Sequence, residues 1–138
     1  MEEYAYRVRT RPCGGYKENL NDHDRSRYQI PLILAGGAIS RPMKVGIIGS
    51  QHDIAATLLG QLGVEHREFT FSKNMMSDAT PKFAFFAVND AFGIVSEENS
   101  LIYDNRAKRI VYDKDEKGFN LKRGQAYLQK IYDDLAKK

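Results

Sequence analysis

Four short runs in the second half of the chain, "KFAFFAV", "GIVS", "SLIYD" and "RIVYD", restrict the fold more than any other feature of the sequence. Their Phe, Tyr, Val and Ile side chains suit a pleated, half-buried surface. The segments between them, "NDAFG", "EENS" and "NRAK", carry turn chemistry, so the pattern predicts an antiparallel sheet of three or four strands joined by hairpins. The chain then ends in "LKRGQAYLQKIYDDLAKK", where Tyr127 or Leu128, Ile131 and Leu135 make one face of a closing helix. Lys137 and Lys138 stand at its C-terminal end, where cations complement the helix dipole.

The first half has a different grain. Ile30 to Leu34 is a continuous apolar run, predicted to be a strand buried on both faces and ended by Gly36-Gly37. Val45 to Ile48 is a second short apolar run. A helix of about three turns follows, with Ser50 and Asp53 in an S-x-x-D capping pattern. Ile54, Leu58 and Leu62 recur every four residues, and Ala55 and Leu59 widen that stripe, which is predicted to pack on a sheet. Gly63 suits the left-handed position just after a helix end. Residues 1–13, closing on "RPC", read as a leader or linker, 14–70 as a strand-and-helix region, and 71–138 as the hairpin sheet with its helix.

At 138 residues, with 42% hydrophobic and 28% charged side chains, the chain has the make-up of a single globular domain. The net charge of +3 is spread among interleaved acids and bases, so no nucleic-acid partner is expected. Cys13 is the one cysteine, which rules out an internal disulfide and a cysteine-based zinc cluster. No apolar run approaches the roughly 20 residues of a membrane span, and "MEEYAYRVRTR" lacks a secretory h-region. As written, the chain is expected in the cytosol.

The helix start at Gly49-Ser50 invites a phosphate-binding reading that the spacing does not support. Gly46 and Gly49 fail the G-x-G-x-x-G pattern, and no Gly-Lys-Ser or Gly-Lys-Thr is present. His23, His52 and His66 include no i, i+4 pair for a metal. His52, in the first helical turn where positive charge is unfavourable, is expected to stay neutral. "YDKDEK" at Tyr112 to Lys117 departs from the calcium-loop pattern and reads as a charged loop.

Taken in order, "IPLILAGGAI", "IGSQHDIAATLLGQLGV", "FTFSKNMM" and "KFAFFAVNDAFGIVSEENSLIYDN" resemble the C-terminal part of the lipoteichoic acid synthase and sulfatase branch of the alkaline-phosphatase superfamily. The resemblance runs from about Gly14 to the end of the chain. Its most specific element is D-I-x-x-T-L-L, here Asp53, Ile54, Thr57, Leu58 and Leu59, supported by "FSKN" at Phe71 to Asn74 and by Phe92-Gly93.

The resemblance implies an α/β fold, an incomplete alkaline-phosphatase-like core followed by a C-terminal antiparallel β-subdomain and closing helix. Enzymes of this branch are bacterial, extracytoplasmic and usually anchored by N-terminal membrane helices. They cleave or transfer phosphate or sulfate esters with a Thr or formylglycine nucleophile and a divalent metal (Mn, Mg, Ca or Zn) held by carboxylates and histidines. The family nucleophile lies upstream of the D-I-x-x-T-L-L helix, and its Asp-His-Gly metal segment falls where this chain has "YAYRVRTRPC". No nucleophile or metal ligand is therefore carried over, Thr57 included, and the chain alone is expected to be inactive and to hold no cofactor. As an alternative, His23, Arg25 and Lys17 are expected to contact an anion in a stand-alone binding or adaptor module. A sheet edge left open by such a fragment is expected to promote self-association.

Overall fold

The computed structural model describes residues 4–6, 28, 30–35, 41–114 and 118–138. The chain divides into two compact units, Met1–Lys82 and Phe83–Lys138.

In the first unit, three strands of three residues each form a mixed sheet: β1 (Tyr4–Tyr6), β2 (Leu32–Leu34) and β3 (Met43–Val45). β1 lies in the middle, antiparallel to β2 and parallel to β3. The Ile30 to Leu34 run thus forms a shorter strand than the sequence suggests, and it is not buried on both faces, because Ile33 is 54% exposed. Among the described residues β2 is hydrogen-bonded to β1 alone. The other predicted strand lies earlier than the Val45 to Ile48 run, over Met43–Val45.

Helix α1 (Asp53–Gln61) follows the second of these strands. It closes with a Schellman turn, as Gly63 predicts: Gly63 has φ +69°, its N–H donates to the Gly60 carbonyl (3.3 Å), and the Val64 N–H donates to the Leu59 carbonyl (2.9 Å). Which side of α1 is buried is a correction to the sequence reading. Asp53, Ala56 and Thr57 are buried, while Leu58 and Leu62 of the apolar stripe are 42% and 75% exposed.

The second unit carries out the hairpin pattern. Strands β4 (Phe83–Val88), β5 (Ala91–Ser96), β6 (Ser100–Asp104) and β7 (Arg109–Asp113) form an antiparallel sheet in that order. Asp90 and Lys108 take positive φ in the first and third turns (58° and 51°), a conformation that the short polar side chain of Asp accepts more readily than most. In the third turn the Asp104 carboxylate accepts the N–H groups of Arg106 (2.9 Å) and Ala107 (2.8 Å), which fixes the reversal. Ala91 and Phe92, assigned to a turn from sequence, belong to β5. Gly93 is a strand glycine on which the opposite Phe86 ring lies, so a Cβ there would stand 2.0 Å from Phe86 Cζ.

Register places Phe83, Phe85, Phe92, Ile94, Leu101 and Tyr103 on one face. Helix α2 (Leu121–Leu135) covers that face with Leu121, Tyr127, Leu128 and Ile131. Phe92, Ile94 and Leu101 are fully buried at its centre. Gly124 lets the helix backbone approach the Phe92 ring, where a Cβ would come within 2.2 Å of Cε2. Leu135, placed on the core face by periodicity, is 59% exposed. Leu135 falls in the last turn of α2, beyond Leu121, Tyr127, Leu128 and Ile131, which pack on the sheet. The first residue of α2 is set by a buried amide: Asn120 Nδ2 donates to Ser96 Oγ and to the Asn99 carbonyl (both 3.1 Å), and Asn99 Nδ2 donates to Asp113 (2.7 Å).

Edge strand β7 carries an irregularity. Ile102 faces Tyr112 and Tyr103 faces Ile110, leaving Val111 as an extra residue. A bulge of this kind twists an edge away from further pairing.

Candidate functional site

The most concentrated polar chemistry among the described residues lies at the start of α1, in the first unit. Asp53 is fully buried, and so are its helical neighbours Ala56 and Thr57. A buried carboxylate needs hydrogen-bond donors and a cation, and the irregular segment of residues 71–77 supplies the cation and one of two backbone donors. Asp53 Oδ1 accepts the Lys73 backbone N–H at 3.1 Å, and Oδ2 accepts the Ser50 N–H at 2.7 Å and the Lys73 ammonium. Lys73 is itself 15% exposed, so the pair is largely shielded from water.

Thr57, one helical turn on, continues the contact. Its hydroxyl donates to the Asp53 carbonyl at 2.6 Å and accepts the Met75 N–H at 3.0 Å. Ser72 Oγ accepts the Ala56 N–H at 2.9 Å, capping a first-turn donor of α1 from outside the helix. Residues 71–77 are therefore strapped to α1 through Ser72, Lys73 and Met75. Small side chains permit the approach: at Gly49 a Cβ would meet Met75 Sδ at 2.2 Å, and at Gly60 it would meet Asn74 Nδ2 at 2.5 Å.

The S-x-x-D reading holds in one of its two halves. Asp53 reaches back to the Ser50 N–H, but the helix begins at Asp53 with His52 as its N-cap, and the same carboxylate also anchors Lys73. His52 Nε2 stands 3.7 Å from Asp53 Oδ1. Burial holds the His52 imidazole below its ordinary value of 6.5; Asp53 opposes that shift and Lys73 adds to it. Burial likewise lowers the Lys73 ammonium, with Asp53 pulling it back.

Three of the roughly four lone-pair sites of the Asp53 carboxylate are taken up in this arrangement. Each Asp53 oxygen accepts a backbone N–H, the ammonium adds a third hydrogen bond, and the Thr57 hydroxyl is both donor and acceptor. A general base, nucleophile or metal ligand needs a lone pair that is not committed in this way. Among the described residues no three His, Cys, Asp or Glu side chains converge as a metal site. His23, Arg25 and Lys17 lie outside the described residues. Among those described, no helix is long and apolar enough to cross a membrane.

Lys73 and Ser72 carry no role in the sequence reading beyond their place in "FSKN". The signal available was the polar i, i+4 pair Asp53 and Thr57 flanking Ala56, with Gly60 next on the same side. A polar stripe with small residues marks a face made for a close polar partner.

Thr57→Val keeps the side-chain shape but leaves the buried Met75 N–H without its acceptor. The expected loss is about 1–3 kcal/mol, read as a lower urea midpoint, with Thr57→Ser close to the parent. An unchanged Thr57→Val midpoint would remove the hydroxyl from the account.

No family model matches the sequence, and no curated protein matches it. Among solved structures, a protein in the alkaline phosphatase superfamily from Vibrio parahaemolyticus is similar in fold, with a TM-score of 0.52 and 19% sequence identity. The similarity covers 67% of this chain and 26% of that one, so this chain spans about a quarter of that protein's length. The chain therefore shares its fold with part of an alkaline-phosphatase superfamily protein.

Proposed function

We propose that this chain is a C-terminal scaffold portion of a phosphate- or sulfate-ester enzyme of the lipoteichoic acid synthase and sulfatase kind. In this reading it contributes architecture, while the nucleophile and the divalent metal belong to other segments of the enzyme. One observation carries the reading. Asp53 and Thr57 of D-I-x-x-T-L-L and Lys73 of "FSKN", separate in sequence, are partners in one buried network. The fold likeness to part of a superfamily protein supports it.

The Asp53 cluster does not fit a resident divalent metal. Asp53 already holds an ammonium, which would repel a second cation, and His52 is the one imidazole beside it. Metal-assisted displacement needs the opposite arrangement, with carboxylates and imidazoles open toward a shared ion.

Incubated with aryl phosphate or aryl sulfate and manganese, calcium or zinc, this chain is expected to show no turnover above the metal-only blank. Saturable turnover abolished by a point substitution in this chain would overturn the proposal.

A further inference from the structure

We propose that the solvent-facing side of α1 is an interface on which a second copy of this chain docks, helix against helix about a two-fold axis. Asp53, Ala56 and Thr57 occupy the side of α1 held under the strap of residues 71–77. The other side is the apolar stripe itself. Ile54 and Leu59 are half-buried there, while Leu58 and Leu62 stand 42% and 75% exposed. The Schellman turn then returns the chain to the helix end at Val64, 49% exposed. A helix that turns its apolar stripe to solvent keeps a surface whose burial is favourable.

The chemistry of the stripe points to its own copy. A two-fold contact sets residues near the axis against themselves, so a charged surface repels its partner and a neutral one does not. From Ile54 to Val64 there is no Lys, Arg, Asp or Glu. At the rim Glu65 and Arg67 pair within one chain at 3.0 Å, so they bring no net charge against the approach. Ile54, Leu58 and Leu62 lie on one ridge of four-residue spacing, and two such ridges interdigitate at about −50°. Helix α2 offers no equivalent, since Lys122, Arg123, Gln125, Gln129 and Lys130 are exposed along it. Size sets the strength. One face of a nine-residue helix, about 14 Å long, offers less than the roughly 800 Å² per partner of a standard interface, so the dimer is weak and reversible. Self-association is thereby placed on α1 and not at a sheet edge. The contact uses this chain's own residues and stands apart from the scaffold reading.

Sedimentation velocity of the full chain, from micromolar to millimolar concentration, reads the assembly. The parent is expected to pass from monomer to dimer and to stop there, because a two-fold contact closes. Leu62→Glu is expected to stay monomeric at every concentration, and Leu135→Glu, at an exposed position in the second unit, to follow the parent. A monomeric parent, growth beyond the dimer, a Leu62→Glu variant that still dimerises or a Leu135→Glu variant that does not overturns the proposal. Should Leu62→Glu fold poorly, amide shifts of the parent give a second reading. Those of Ile54, Leu58, Leu62 and Val64 are expected to move together with concentration while those of β5 and β6 stay fixed. Concentration-dependent shifts confined to other residues also overturn it.

Discussion

Replacing Asp53 with alanine is expected to destabilise the first unit by about 3–5 kcal/mol, the cost of breaking a buried ion pair from one side. The substitution removes the carboxylate that pairs with the Lys73 ammonium, 15% exposed, and that accepts the Ser50 and Lys73 amides. Asp53→Asn should fall between the two, since a neutral amide can still accept but cannot balance the ammonium. Loss of protection at the Ser50, Lys73 and Met75 amides, with the second unit's amides unchanged, is the expected pattern in native-state exchange. If Asp53→Ala unfolded at the parent's urea midpoint, the carboxylate would not hold the strap.

Phe92→Ala is the counterpart in the second unit, with an expected cost of about 3–5 kcal/mol. Phe92 is fully buried, stacks with Phe85 at 5.8 Å, meets Tyr103 in a tilted pair at 5.6 Å, and carries the Gly124 turn of α2 on its ring. Truncation opens a cavity between sheet and helix that neither backbone can close without shifting. The measurement is the urea midpoint of the second unit, followed through amides of β5 and β6. A cost below about 1 kcal/mol would mean that α2 does not depend on this ring.

The two units were legible in the sequence to different degrees, for a physical reason. In the second unit a single rule decides the outcome. Alternating aromatic and β-branched residues broken by Asn, Asp and Glu turns can form a hairpin sheet, and the helix that follows has one apolar face to lay on it. The strand order, the turn at 105–108 and the contacts of Tyr127, Leu128 and Ile131 follow from that rule. It failed at Ala91 and Phe92, where Gly93 reads as punctuation but serves as a seat for Phe86.

In the first unit hydrophobicity pointed the wrong way. Leu58 and Leu62 define a conventional stripe, yet the buried side is Asp53, Ala56 and Thr57. Burial there is decided by hydrogen bonds and charge from a segment up to 20 residues away, and periodicity carries no information about such partners. The resemblance picked out "DIAATLL" and "FSKN" as separate markers. Their union through Asp53 and Lys73 becomes visible once the chain is folded.

A double-mutant cycle on Asp53 and Lys73, measured by urea unfolding of the first unit, tests that union most directly. With Asp53→Ala, Lys73→Met and the double variant, a coupling energy of about 2 kcal/mol or more is expected, the double variant regaining much of what the first loses. Additivity within about 0.5 kcal/mol would show that helix and strap do not depend on each other through this pair, and the scaffold reading would lose its main support.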